Sequence, residues 1–212
     1  MSSRWQSCRY TRTMPGGQRR ESPLREIARA AVRAQLTATA MELFARDGFE
    51  QITVEQIAAA AGVSERTMFR YFHTKEDIIV GHLDGIGQRI AEALAARPPQ
   101  EPPWTALRHA MQPHLDELAR NAQANLQLAS ILAQTPALQP ALLNKRARWA
   151  DALVPHVLKR LAGPAGTREL RARTIANCAL ACLNITVDQW TRTDGTAPLD
   201  SLLDATFAAV RC

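Results

Sequence analysis

Residues 48–79, GFEQITVEQIAAAAGVSERTMFRYFHTKEDII, constrain the fold more than any other stretch, because two short helices and the turn between them can be read from it. Gly48 ends a long amphipathic segment, and Thr53 opens the first short helix. Thr53 and Gln56 have the spacing of a capping box, in which two orphan donors at a helix start are satisfied reciprocally. Ile57 and Ala58 supply its apolar face, and the neighbouring alanines keep it slim. Gly62 suits the turn, where a positive φ costs least without a Cβ. Ser64 caps the second helix, and Met68 and Phe72 then fall on one inward face at i, i+4 spacing. Glu65, Arg66, Thr67, Phe69, Arg70 and Tyr71 remain on or near the outer side. The pattern predicts a helix-turn-helix whose second helix is offered to the major groove of DNA.

The same run resembles the N-terminal DNA-binding domain of the TetR family of bacterial transcriptional regulators. The likeness is unbroken from about Leu36 to Ile79, as G-F-x-x-I-T-V-x-x-I-A-x-x-A-G-V-S-x-x-T-x-F-x-Y-F-x-x-K-E. Arg66 departs from the family pattern, where Gly is common, and adds a long donor at the groove. Phe69 replaces the commoner Tyr and lacks the hydroxyl that often meets a phosphate in relatives.

The expected DNA-binding set is Thr53, Ser64, Arg66, Thr67, Phe69, Arg70, Tyr71 and Lys75. The Arg66 fork matches O6 and N7 of guanine, Thr67 suits a thymine methyl or a phosphate, and Arg70 suits either base or phosphate. Arg70 could instead pair with Glu65 on the surface. Thr53 and Ser64 sit at helix starts, where backbone N–H groups attract phosphate, though each could simply cap. The resemblance implies that Tyr71 meets the backbone or a base and that Lys75 grips a phosphate. Charge placement agrees with a nucleic-acid partner. Residues 1–33 hold eight Arg and two Glu, a balance of +6, whereas the remaining 18 basic and 18 acidic residues cancel. Clustered Arg at one end serves phosphate neutralisation.

The fold class expected is all-α, with about nine helices and no strand. Residues 1–20 read as a flexible basic arm that follows the phosphates, as a solvated tail, or as sequence upstream of a start at Met14. Residues 21–80 read as the helix-turn-helix domain, and residues 81–212 as a helical effector-binding and dimerisation domain. A first helix is expected from about Leu24 to Arg46, with Leu24, Ile27, Ala31, Leu36, Ala40, Leu43 and Phe44 facing a core. A helix capped by Thr74 should run unbroken to Arg97 on the stripe Ile79, Leu83, Ile86, Ile90 and Leu94. PPQEPP then breaks the chain. The body should hold helices over 104–118, kinked at Pro113, and over 122–134. Further helices are expected from Thr135-Pro136 to Leu161, from Thr167 to Arg192, and after Pro198.

Residues 175–187, IANCALACLNITV, are apolar nearly all the way round, so a helix there must be covered on both sides. The chain's own core can cover one side and a second copy the other, giving a four-helix interface. A fully buried central helix in a monomer is the alternative. TetR-family proteins dimerise through their last two long helices, which favours the homodimer. Its expected interface is Ile175, Ala179, Cys182, Leu183, Leu203 and Phe207. The family also implies an effector cavity. Trp104, Met111, Leu128, Leu132, Trp149 and Leu153 are its candidate lining, although an apolar stripe is equally what a solid core needs. Residues 131–163 are loosely similar to the C-terminal domain of actinobacterial TetR-family regulators such as that of the mycofactocin system. That similarity implies an amphiphilic or apolar small-molecule effector, acyl-CoA-like compounds included.

The expected function is therefore a dimeric DNA-binding regulator, most simply a repressor released from a pseudo-palindromic operator by its effector. An activator of the same fold and an effector-independent architectural protein are the alternatives. No nucleophile elbow, phosphate loop or carboxylate pair points to an enzyme, and no cofactor is implied. Cys178 and Cys182 share a helix face but bring no further ligands, so no metal is assigned. With no apolar run of roughly 18–20 residues and no signal-peptide pattern, a cytoplasmic protein without a membrane partner is expected. Four cysteines at 8, 178, 182 and 212 form no disulfide framework.

Overall fold

The computed structural model describes residues 23–210, apart from Asp84. The arm expected over 1–20, the start at Met14, and Cys8 and Cys212 lie outside the described residues. Among the described residues there are eleven α-helices and no strand. The first four are α1 (Pro23–Asp47), α2 (Val54–Ala60), α3 (Glu65–Tyr71) and α4 (Lys75–His82). The body follows as α5 (Ile86–Ala96), α6 (Pro103–Ala110), α7 (Gln112–Arg120), α8 (Ala122–Gln134), α9 (Gln139–Leu158), α10 (Ala165–Arg192) and α11 (Leu199–Ala209).

Local chemistry sets the head. Thr53 and Gln56 form the expected capping box of α2, and Thr74 with Asp77 forms one at α4. Ser64 caps α3 by accepting from the Thr67 N–H. Leu36, Ala40, Phe44, Ile57, Met68, Phe72, Ile78 and Ile79 close one core between α1 and α4. Leu24 and Ile27, expected to face a core, are instead 78% and 65% exposed. The first turns of α1 run past the small head, where none of the described elements packs over them.

Two expected helices are each divided, which accounts for the larger count. The stripe from Ile79 to Leu94 does not continue through one helix. It breaks between α4 and α5, where Gly85 takes φ +85°, a left-handed conformation that helical geometry excludes. The break redirects the stripe. Ile78 and Ile79 enter the head core, Ile86, Ile90 and Leu94 enter the body core, and Leu83 packs against both. The other division falls at Met111, so that Pro113 sits in the first turn of α7 rather than kinking a longer helix. There its missing N–H costs nothing. Thr135-Pro136 likewise opens a short 3-10 turn, Pro136–Leu138, before α9.

The body wraps α5, α6 and α9–α11 around one core. Cations carried by α9 and the turn after it secure both parts of the broken stripe. Lys145 Nζ donates to Val80 O in the last turn of α4, at 2.8 Å. Arg160 Nη2 donates to Leu94 O and Arg97 O at the end of α5, at 2.7 and 3.0 Å. Carbonyls at a helix C-terminus lack intrahelical donors and carry the negative end of the dipole, so cations are well placed there. Head and body also share apolar contacts, since Leu128, Leu138 and Leu142 join the head core.

Candidate nucleic-acid interface and body cavity

On α3, Met68 is buried while Glu65, Arg66, Phe69 and Arg70 are exposed and Thr67 and Tyr71 are half-buried. Arg66 and Arg70, one turn apart, make no ion pair among the described residues, and the Arg70 guanidinium lies 5.2 Å over the Tyr71 ring. The alternative pairing of Arg70 with Glu65 is therefore not adopted. The Ser64 and Thr67 hydroxyls lie 3.0 Å apart and hydrogen-bond to each other. Both are held by the helix start, as is Thr53 by its capping box.

Lys75 is engaged within the fold. Its ammonium donates inward to Phe49 O at 2.7 Å, Ile52 O at 3.0 Å and Glu50 O at 3.5 Å. It also lies 4.2 Å over the Phe49 ring. Three donors meet three carbonyls of the α1–α2 connection, so Lys75 latches that connection to α4 in this structure. Arg33 has a comparable structural role that sequence reading missed. It stacks 4.7 Å over Phe72 and donates to Tyr71 O at 3.5 Å, joining α1 to the end of α3.

Between α5, α7, α8, α9 and α10 lies a cavity of about 830 Å³. Sites for one drug-sized ligand measure roughly 300–1,000 Å³. Leu128, Leu132 and Trp149 line it. Trp104, Met111 and Leu153 do not. Met111 and Leu153 are fully buried in the body core. Trp104 stacks on Phe207 with ring centroids 4.5 Å apart and donates to Phe207 O, tying α6 to α11. Helical spacing marked all six as inward but could not separate a packed interior from a cavity wall. Leu83 and Ile86, which flank the α4–α5 break, are also in the wall, as are Lys145 and Arg146.

Two wall features were not legible in the sequence. Gly87 of α5 lies under Trp149, so closely that a Cβ there would fall on the indole. That close approach sets where the Trp149 ring can stand. His114, next to Pro113, reaches the wall with Nδ1 buried and without a hydrogen-bond partner. Burial lowers its pKa to about 4, with Glu117 opposing and Arg89 reinforcing the shift. The ring is neutral at pH 7.

Two regions match known families. Residues 36–80 match the bacterial regulatory proteins of the tetR family, and residues 101–211, just over half the chain, match the MftR C-terminal domain. The chain belongs to the TetR family. It is a helix-turn-helix transcriptional regulator rather than an enzyme. The regulator TcmR of Streptomyces glaucescens is 39% identical over 97 residues, which are 46% of this chain and 41% of TcmR. The chain thus aligns with less than half of TcmR. MftR of Mycobacterium tuberculosis is 29% identical over 178 residues, 81% of this chain and 85% of MftR. Among solved structures, the TetR-family repressor FadR of Thermus thermophilus, in complex with lauroyl-CoA, superposes with a TM-score of 0.54 at 24% identity. The match covers 84% of this chain and 93% of FadR, and it shows the shared fold.

In this TetR-family chain the residues expected at a dimer interface lie in the protomer's own core. Ala179, Cys182, Leu183, Leu203 and Phe207 are buried, and the half-buried Ile175 packs against them. An apolar periodicity that runs all round a helix cannot say which side its own chain covers. Here α6, α8, α9 and α11 cover the side bearing those residues. The opposite side of α10 exposes Thr174, Ala181 and Ile185, and α11 exposes Ser201, Ala205 and Ala208. Cys182 donates to Thr206 O at 3.5 Å and its thiol pKa is raised by burial, so it is held protonated in packing. Among the described residues no helix is long and apolar enough to cross a membrane.

Proposed function

We propose that this regulator reads a pseudo-palindromic DNA operator as a homodimer and is released from it by an amphiphilic or apolar effector held in the body cavity. The observation that carries the reading is the position of that cavity. Its wall includes Leu83 and Ile86 at the α4–α5 break, and Lys145, whose ammonium is bonded to the last turn of α4. A ligand that moves this wall moves the element on which the reading head rests. Residues 21–80 then act as the reading unit and 81–212 as the effector-binding and dimerisation unit. Base reading falls to Arg66 and Arg70, with Phe69 against a thymine methyl. Thr53, Ser64 and Thr67 hold the helix starts, and Tyr71 supports Arg70. The FadR neighbour bound to lauroyl-CoA supports an effector with a long apolar chain.

Regulation requires the effector to bind the two states with different affinity. A coupling of about 1–3 kcal/mol is enough to change operator affinity by roughly 5–150-fold. The cavity counts against the architectural alternative, for which a solid body would be expected.

The test begins with in vitro selection on random duplex DNA at near-physiological salt. A recovered palindrome is then titrated with protein in the presence and absence of lauroyl-CoA and dodecanoate. Release from the palindrome by either compound is the expected result. Enrichment of no sequence, or an operator affinity indifferent to both, would remove the reading.

A further inference from the structure

Seven titratable side chains line the body cavity: Arg89, His114, Glu117, Lys145, Arg146, Asp188 and Arg192. Four are matched in pairs, Arg89 with Glu117 at 3.2 Å and Arg192 with Asp188 at 3.0 Å. Lys145 is turned onto Val80 O. The amide groups of Asn125 and Gln139 are likewise spent on backbone carbonyls. Arg146 is different. It is half-buried, and among the described residues it makes no hydrogen bond, ion pair or ring contact. His114 Nδ1 is buried in the same wall, also without a partner.

A half-buried guanidinium keeps only part of its hydration, so an anion that enters beside it gains a charge-assisted pair at a reduced desolvation cost. No described protein group competes for its donors, so they are open to an acceptor that enters the cavity. Both carboxylates of the wall are already engaged, so among the described residues the wall offers Arg146 no counter-ion. Leu128, Leu132 and Trp149 give the rest of the wall an apolar surface.

We infer that the cavity selects an amphiphile with an anionic head, which Arg146 receives as a charge-assisted pair while His114 donates from Nδ1 and the apolar wall takes the tail. This inference rests on the reading of the cavity as the effector site and adds the head-group chemistry. A carboxylate fits the planar fork best, and a phosphate oxygen of a coenzyme A ester offers the same chemistry. An uncharged head of equal tail length leaves the guanidinium unmatched and binds more weakly. Arg146→Gln removes a partly desolvated, unpaired charge together with its function, so the ligand-free variant keeps its thermal stability.

Isothermal titration calorimetry of the full chain with dodecanoate, 1-dodecanol and lauroyl-CoA tests this. Wild type is expected to bind at least one anionic compound about tenfold or more tightly than 1-dodecanol. Arg146→Gln should abolish that preference by weakening the anionic compound far more than 1-dodecanol, and Arg146→Lys should keep part of it. Dodecanoate alone preferred identifies a carboxylate head, and lauroyl-CoA alone preferred identifies a phosphate. Equal affinity for all three, or a preference that survives Arg146→Gln, overturns the inference while leaving an effector cavity in place. Binding of none of them overturns both.

Discussion

Lys145 Nζ lies 2.8 Å from the carbonyl oxygen of Val80, which also accepts from the Leu83 N–H at the close of α4. The lysine is only 4% exposed. Its backbone belongs to α9 in the cavity wall, and its ammonium belongs to the last turn of the helix that supports the reading head. This contact is thus a direct mechanical tie between a ligand-sized cavity and the DNA-facing unit. Lys145→Met keeps the apolar stem and removes the tie. The ratio of operator affinities measured with and without the effector should shrink several-fold, while the variant remains folded with a loss of about 1–3 kcal/mol. An unchanged ratio would assign the coupling to other contacts.

Arg66 and Lys75 should separate cleanly in experiment. Arg66 and Arg70 are exposed and make no ion pair among the described residues, and Arg70 touches only the neighbouring Tyr71 ring. Arg66→Ala and Arg70→Ala should leave the melting temperature unchanged and weaken operator binding, Arg66→Ala by about 1–3 kcal/mol with relaxed preference at one position. Lys75→Ala removes three carbonyl partners and should lower stability by about 1–3 kcal/mol in denaturant unfolding. Equal melting temperatures for all three variants would return Lys75 to a surface role.

Gly87→Ala should act on the cavity from behind. The added methyl displaces the Trp149 ring from its seat against α5. Overpacking of this kind costs about 1–3 kcal/mol. Because Trp149 is a wall residue, effector affinity should fall more than operator affinity, as read by calorimetry and by gel shift. A variant that binds effector as wild type does would mean that the ring relaxes outward.

Acidification should loosen the body through His114. Its folded pKa of about 4 lies below the ordinary 6.5, so the unfolded state binds more protons between those values. The contribution is complete above pH 6.5 and is lost as pH falls towards 4. Between pH 7 and pH 5 the loss should reach up to about 2 kcal/mol. Burial together with Lys159 and Arg160 also lowers the His156 pKa, so the share of His114 is the part of the slope that His114→Leu removes. A slope identical in that variant would clear His114.

The accessible side of α10 should carry self-association. Ala181→Glu places a carboxylate between the exposed Cα positions of that face and should yield a folded monomer by sedimentation. Leu203→Glu, by contrast, buries a charge in the protomer's own core and should unfold the chain. A dimer that survives Ala181→Glu would move the interface elsewhere.

The sequence by itself determined the head. Capping chemistry at Thr53, Ser64 and Thr74, the turn at Gly62, and Met68 and Phe72 on one face are all local signals within a few residues. The structure realises each of them as read. Arg66 and Arg70 are outward for the same reason, since seven residues of helix have only one inner face. The body was legible as helices but not as a site. Where α4 gives way to α5, which side of α10 its own chain covers, and which apolar residues border space rather than one another depend on the arrangement of several helices at once. Periodicity reports that a residue faces inward and carries no information on what stands opposite. Gly87 beneath Trp149, Lys145 on Val80, and Arg146 with no acceptor are relations between residues distant in the chain, and only tertiary packing brings them into existence.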